Sequence, residues 1–182
     1  RLSLKFQIIG LAETNIGSEE SPAYKLEGYI PYYQEKHVNK SKGTGIALYI
    51  ENSLNAVINE DLSWVTKNLE TLFVTIQHAE PLHVGVIYRP PSGNPTEAIA
   101  ELQKILESCP KKNLHLLGDY NIDLHADSNK HALEFEAMTS VLNIMPVISV
   151  YTHEKPGCKK SCIDNILTND IENSICSGTI DT

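Results

Sequence analysis

The side chains with the clearest capacity for chemistry lie in LHLLGDYNIDL, Leu114 to Leu124. The apolar run Leu114, Leu116 and Leu117 has the length and character of a buried strand. It breaks at Gly118, and Asp119, Asn121 and Asp123 follow at alternating positions. Carboxylates and an amide delivered at the lip of a sheet suit the binding of a metal ion or a phosphate group. The same residues are ordinary formers of an Asx-rich turn, and spacing alone leaves both readings open. A calcium loop is excluded. It needs Gly at its sixth position and Glu at its twelfth, where counting from Asp119 finds Leu124 and Lys130.

Three other places resemble this one. Phe6 to Leu11 reads as a buried strand and ends at Ala12, Glu13 and Thr14, so a carboxylate again follows an apolar run. Taken alone, Glu13 reads better as a helix or turn residue on the surface. In YRPPSG two prolines force an extended exit and forbid further pairing, which fixes Tyr88 and Arg89 at a strand end. The Tyr88 hydroxyl is there either as the wet tip of a core residue or as a phosphate contact. Near the C-terminus, Ser161, Ile163, Asp164, Ile166 and Leu167 read as a strand, in which an ionised Asp164 is costly unless something pairs with it. A buried Asp beside a His orients an imidazole for proton transfer. No His follows Asp164 in this chain, and among those preceding it His153 is the first candidate.

The elements that position these residues alternate strands with a few helices. Strands are predicted at Ile46 to Ile50, Leu54 to Ile58, Leu72 to Ile76, His83 to Tyr88 and Val147 to Val150. One helix starts at Asn94 as cap, with Pro95 first and Glu97 closing a capping box, and stops at Pro110. Its apolar face is Ile99, Leu102, Ile105 and Leu106. A second helix, about Lys130 to Leu142, is expected to bury Leu133, Phe135, Met138, Val141 and Leu142. Ser18 to Lys42 reads as a polar, tyrosine-bearing loop whose end, Lys36, His37, Lys40 and Lys42, is the most basic segment. Gly43, Thr44 and Gly45 introduce a strand rather than a helix, which argues for tight packing or a bulge and against a phosphate loop.

Composition bounds the rest. At 182 residues and 41% hydrophobic, the chain fits one domain spanning 1–182 with a sizeable core. Fifteen basic against twenty-three acidic side chains give a formal charge of −8. That balance disfavours broad nonspecific nucleic-acid binding but not an enzyme that grips phosphate through a metal. No apolar run approaches the roughly 20 residues of a membrane span. Cys109, Cys158, Cys162 and Cys176, with His153, fit no common zinc spacing, so reduced thiols are expected.

LAET with Glu13, GTGIALYI, LETLFVTI, VGVIYRPP, GDYNIDL and SCIDNILTN stand in the order seen in the endonuclease/exonuclease/phosphatase superfamily. Their wording resembles most the endonuclease domain of LINE-type retrotransposon polyproteins, related to apurinic endonucleases and pancreatic deoxyribonuclease. The likeness covers nearly the whole chain. It implies an α/β fold: a two-sheet β-sandwich flanked by helices, the deoxyribonuclease-like four-layer sandwich, with the active site at one edge.

The resemblance also assigns roles. It makes Glu13 the principal ligand of a catalytic Mg²⁺, for which Mn²⁺ substitutes, and Asp119 the group that orients or deprotonates the attacking water. Asn121 holds the scissile phosphate, Tyr88 contacts it, and Thr152 and Ser161 line its site. Asp164 is the partner of a catalytic His. The implied activity is metal-dependent nicking of DNA that leaves a 3′-hydroxyl to prime reverse transcription. The implied context is a polyprotein carrying a reverse transcriptase, working in the nucleus and away from membranes. The alternatives are a phosphatase of the same superfamily acting on a small phosphoester, or an inactive, truncated remnant. Family members begin with a strand carrying an Asn near the metal and end with an S-D-H segment supplying the His. This sequence starts after the first and ends before the second, so weak activity is expected of it.

Overall fold

Alternating apolar side chains build two sheets, here described by a computed structural model over residues 5–16, 23–34, 44–126, 128–155, 157–173 and 177–180. The smaller sheet holds β1 (Ile8–Leu11), β2 (Tyr29–Gln34) and β3 (Ile46–Glu51) in the order β1-β3-β2, all antiparallel. The larger holds β4 (Ala56–Ile58), β5 (Glu70–Ile76), β6 (Leu82–Tyr88), β7 (Leu114–Asp119), β8 (Met145–Pro146) and β9 (Asp164–Thr168). Its order is β4-β5-β6-β7-β9-β8. Strands β6 and β7 run parallel, and the crossover between them carries α1 (Pro95–Glu107). Helix α2 (Lys130–Val141) follows β7.

The period of two divides each strand between two cores. Leu72, Val74, Val84 and Val86 meet Ile46, Leu48 and Ile50 between the sheets. Phe73, Ile87, Leu116 and Leu167 point to the opposite face and pack with Leu102, Leu106, Phe135 and Met138 of the helices. The result is the expected α/β architecture, a two-sheet sandwich with helices laid on it.

Helix α1 begins as anticipated, with the Asn94 side chain accepting the N–H groups of Thr96 and Glu97. The box closes differently: Glu97 meets the Asn94 side-chain amide at 3.3 Å, while the Asn94 backbone N–H donates to Asn68 Oδ1 at 3.0 Å.

Several expectations need correction. In α2 the buried residues are Ala132, Phe135, Met138 and Thr139, whereas Leu133 and Val141 are 54% and 71% exposed. The helix is rotated so that its narrow face on the sheet runs through 132, 135 and 139, a stripe partly made of small and polar residues that apolar periodicity does not reveal. Val147 to Val150 is not a strand. The Val147 N–H makes one backbone bond to Ile166 O at 2.9 Å, and beyond it the Asn165 side chain accepts from Val147 and Ile148 and donates to Ile148 O in place of further ladder bonds. Residues 29–34, assigned to a loop, form β2. As an edge strand it tolerates Pro31. Strand β1 is also an edge, shorter than Phe6 to Leu11 and only half-buried. Asp164 opens β9 rather than lying within it. The basic group Lys36, His37, Lys40 and Lys42, together with Gly43 and Cys176, lies outside the described residues. Among the described residues no helix is long and apolar enough to cross a membrane.

Candidate active site

Strand register assembles most of the site. Glu70 pairs with Tyr88, Tyr88 with Asp119, and Asp119 with Asp164. Paired residues share a face, so this row, crossing β5, β6, β7 and β9 at one end of the larger sheet, is presented between the sheets. It continues the face that Leu72, Val86 and Leu117 make apolar further along the strands.

Glu13 reaches the row from the smaller sheet. Beyond β1 the chain stays tied to the start of β3, with the Thr14 N–H on Gly45 O at 2.9 Å and the Asn15 N–H on Thr44 O at 2.8 Å. Gly45 has φ +88, and a Cβ there would stand 2.8 Å from Thr14 Oγ1, so tight packing explains the glycine. Its N–H donates to Glu70 Oε2 at 2.7 Å. Glu13 itself has φ +54. For a Glu this left-handed conformation costs about 1 kcal/mol or more and persists only where the surroundings impose it, as they often do at functional sites. The Tyr88 hydroxyl donates to Glu13 Oε1 at 2.5 Å. Burial, reinforced by Glu13, raises the Tyr88 pKa, so the hydroxyl stays protonated and keeps donating.

Asp119 is a strongly perturbed carboxyl. Burial pushes its pKa from 3.8 up to about 6, helped by the charges of Asp164 and Glu13 and opposed by the Asn121 N–H and Arg89. Its Oδ1 accepts the Asn121 N–H at 3.0 Å. The β7 exit is narrow: a Cβ on Gly118 would lie 3.0 Å from Ile87 O and 2.9 Å from the Tyr120 ring. Asn121 has φ +47, and its Nδ2 donates to Arg89 O at 2.9 Å. The Asx-type turn is therefore present, and it fixes where the Asp119 carboxylate stands. The third member, Asp123, is structural. Its Oδ1 accepts the N–H groups of His125 and Cys162, and its Oδ2 lies 3.6 Å from Lys159 Nζ.

Asp119, Asp164 and Thr152 line a cavity of about 410 Å³ with Gly10, Ala12 and Asn165. Thr152 Oγ1 accepts the N–H groups of Ile163 and Asp164 at 3.1 and 3.0 Å, which fixes the backbone that carries Asp164. Ser161 is joined to His153 and Thr152 through backbone bonds of 3.0 to 3.1 Å and does not line the cavity. Tyr88 is fully buried with its hydroxyl turned to Glu13. Among the described residues no hydrogen bond or ion pair joins Asp164 to a histidine. His153 bridges to Ser161, and the His125 ring packs edge-on against Tyr151. Sequence reasoning passed over Glu70, and it placed Arg89 at a strand end without giving it a role. An acid opening the apolar run ETLFVTI was the available signal for Glu70.

Among the described residues no three or more His, Cys, Asp or Glu side chains form a metal cage, and Cys109, Cys158 and Cys162 are free thiols. The donor chemistry nonetheless fits a hard, water-rich ion such as Mg²⁺, which is commonly held by one or two carboxylates and completed by water and phosphate oxygen. Glu13 is hydrogen-bonded on one oxygen, and the like charges around Asp119 would be relieved by a cation.

No protein-family profile matches the sequence, and no curated protein matches it. Solved structures do. The endonuclease domain of TRAS1, a telomere-specific non-LTR retrotransposon, matches at 13% identity and TM-score 0.67, over 90% of this chain and 72% of that one. AP endonuclease LMAP from Leishmania major matches at 13% identity and TM-score 0.60, over 88% and 69%. The Xenopus laevis APE2 catalytic domain matches at 16% identity and TM-score 0.58, over 88% and 73%. At these identities the likeness establishes the fold, which is the one the motifs implied.

Proposed function

We propose that the chain is a metal-dependent phosphodiesterase that nicks DNA and leaves a 3′-hydroxyl. The observation that carries this reading is the meeting of Glu13, beside one sheet, with the Tyr88–Asp119–Asp164 row of the other, two of whose members, Asp119 and Asp164, line a cavity. In this reading Glu13 holds the ion, with Tyr88 fixing the carboxylate through its hydroxyl. A bound Mg²⁺ supplies charge neutralisation at the phosphate and polarises its ligands. Asp119 orients the attacking water in this reading, and its pKa of about 6 suits it to take a proton close to neutral pH. Asn121, locked in its left-handed turn, offers an amide N–H to a phosphate oxygen. Thr152 steadies Asp164 against the same pocket, and Ser161 supports that hairpin from behind.

The likeness to endonuclease structures supports DNA as substrate, and the TRAS1 likeness supports a polyprotein context with a reverse transcriptase, acting on nuclear DNA. The test is conversion of supercoiled plasmid to open circles with Mg²⁺ or Mn²⁺, beside release of phosphate from inositol phosphates. Nicking that stops with EDTA is expected. Phosphate release without nicking would replace the proposal by the phosphatase reading.

A further inference from the structure

The chain contains two arginines, Arg1 and Arg89, against thirteen lysines, and Arg89 is buried, 5% exposed, beside the candidate site. Its guanidinium meets backbone carbonyls. Nε donates to Tyr120 O at 2.6 Å, Nη2 to Asn121 O at 2.6 Å, and Nη1 to Pro90 O and Gly93 O at 3.0 and 3.1 Å. The backbone closes the circuit. The Arg89 N–H donates to Asp119 O at 2.9 Å, and Arg89 O accepts from Asn121 Nδ2 at 2.9 Å. Residue 89 is thereby bonded to each of the three residues 119, 120 and 121. Through Gly93 it also ties that turn to the loop before α1.

We infer that Arg89 is a positioning residue: its planar fork clamps the carbonyls of Tyr120 and Asn121 and so holds the left-handed Asn121 and the neighbouring Asp119 in their working geometry. Carbonyls at the end of a strand point in divergent directions, and a left-handed residue relaxes unless it is held. A guanidinium presents its donors in one plane, in fixed directions, and stays charged when buried. A lysine ammonium offers a point charge on a flexible stem and cannot reproduce the fork. That difference explains why this position uses one of the chain's few arginines. The prolines after it contribute by fixing the return of the chain, so that Pro90 O and Gly93 O face Nη1. The positive charge also stands behind Asp119, where it favours the carboxylate over the acid.

The kinetic half of this inference rests on the proposed phosphodiesterase; the structural half does not. Arg89→Lys keeps the charge and removes the fork. In the folded variant, amide hydrogen exchange at Tyr120 and Asn121 is expected to accelerate about tenfold or more while the amides of Leu102 and Phe135 stay at parental rates. Plasmid nicking is expected to lose kcat by about 10²-fold, as for other misplacements of catalytic groups, with KM for plasmid changed less than about threefold. Parental exchange at Tyr120 and Asn121 would overturn the inference. So would acceleration spread evenly through the helices, which marks a merely structural arginine. Should the variant fail to fold, the parent decides. With two arginines the Nε–H signals are readily assigned, and Arg89 Nε–H must exchange far more slowly than that of free arginine and show through-bond coupling to the Tyr120 carbonyl. Exchange as fast as in free arginine refutes the clamp. A parent that leaves plasmid uncut refutes the hydrolase reading, and the exchange measurements still decide the role of Arg89.

Discussion

Replacing Asp119 by Asn should stabilise the metal-free protein while silencing it. The folded carboxyl has a pKa of about 6 against an ordinary 3.8, raised first by burial and then by Asp164 and Glu13. A raised carboxyl binds its proton more tightly in the folded state, so stability falls as pH climbs from about 4 to about 6, and the penalty is complete above that window. At 1.36 kcal/mol per pH unit, the interval between 3.8 and about 6 sets a ceiling near 3 kcal/mol. Partial solvation of the site lowers the expected value to about 1–3 kcal/mol. The oxygen of the introduced amide would still accept the Asn121 N–H that now reaches Asp119 Oδ1 at 3.0 Å, so the turn survives. The assay is urea unfolding with EDTA at pH 7.5 and pH 4 for parent and variant. A gain at pH 7.5 that vanishes at pH 4 is predicted. No gain at pH 7.5, or an equal gain at both, would refute the electrostatic reading of the site.

Glu13→Gln should leave the fold intact, abolish nicking, and remove the rise in Tm that Mg²⁺ gives the parent; a retained Mg²⁺ shift would move the ion elsewhere. Tyr88→Phe keeps the buried ring but takes the hydroxyl from Glu13. Unfolding free energy should change by about 1 kcal/mol while the Mg²⁺ concentration needed for half-maximal nicking rises; an unchanged Mg²⁺ requirement would make that bond incidental. Asn121→Ala should lower kcat about 10²–10³-fold, the usual cost of one oxyanion-type donor, and a loss confined to KM would assign Asn121 to binding alone.

What could be read from sequence was whatever repeats along the chain. The β5, β6 and β7 strands and the α1 face announce themselves through periods of two and 3.6, and Asn94–Pro95 marks a helix start. Glu13 and Asp119 were legible as carboxylates that follow apolar runs, and Asp164 as a carboxylate read inside a strand that it in fact opens. The resemblance placed them in one site, but how they meet could not be read from the residues, because it depends on the register Tyr88–Asp119–Asp164 and on a left-handed Glu13 beside the second sheet. Side chains that stand in for backbone partners also escaped notice. Asn165 takes over from a ladder at Ile148, and Arg89 ties the backbone across the Asp119 turn. Strand β2 hid behind Pro31, while α2 stands where it was expected and only its buried face was misjudged, because the sheet-facing stripe includes Ala132 and Thr139.

Asp119 is proposed to direct a water at a DNA phosphate whose charge an ion held by Glu13 would help to bear. Nicking plasmid in ¹⁸O-enriched water with Mg²⁺ tests this most directly, with the new termini read by mass spectrometry. The account predicts ¹⁸O in the 5′-phosphate, an unlabelled 3′-hydroxyl, and no product from Asp119→Asn. A labelled 3′-phosphate, or Asp119→Asn nicking at the parental rate, would contradict it.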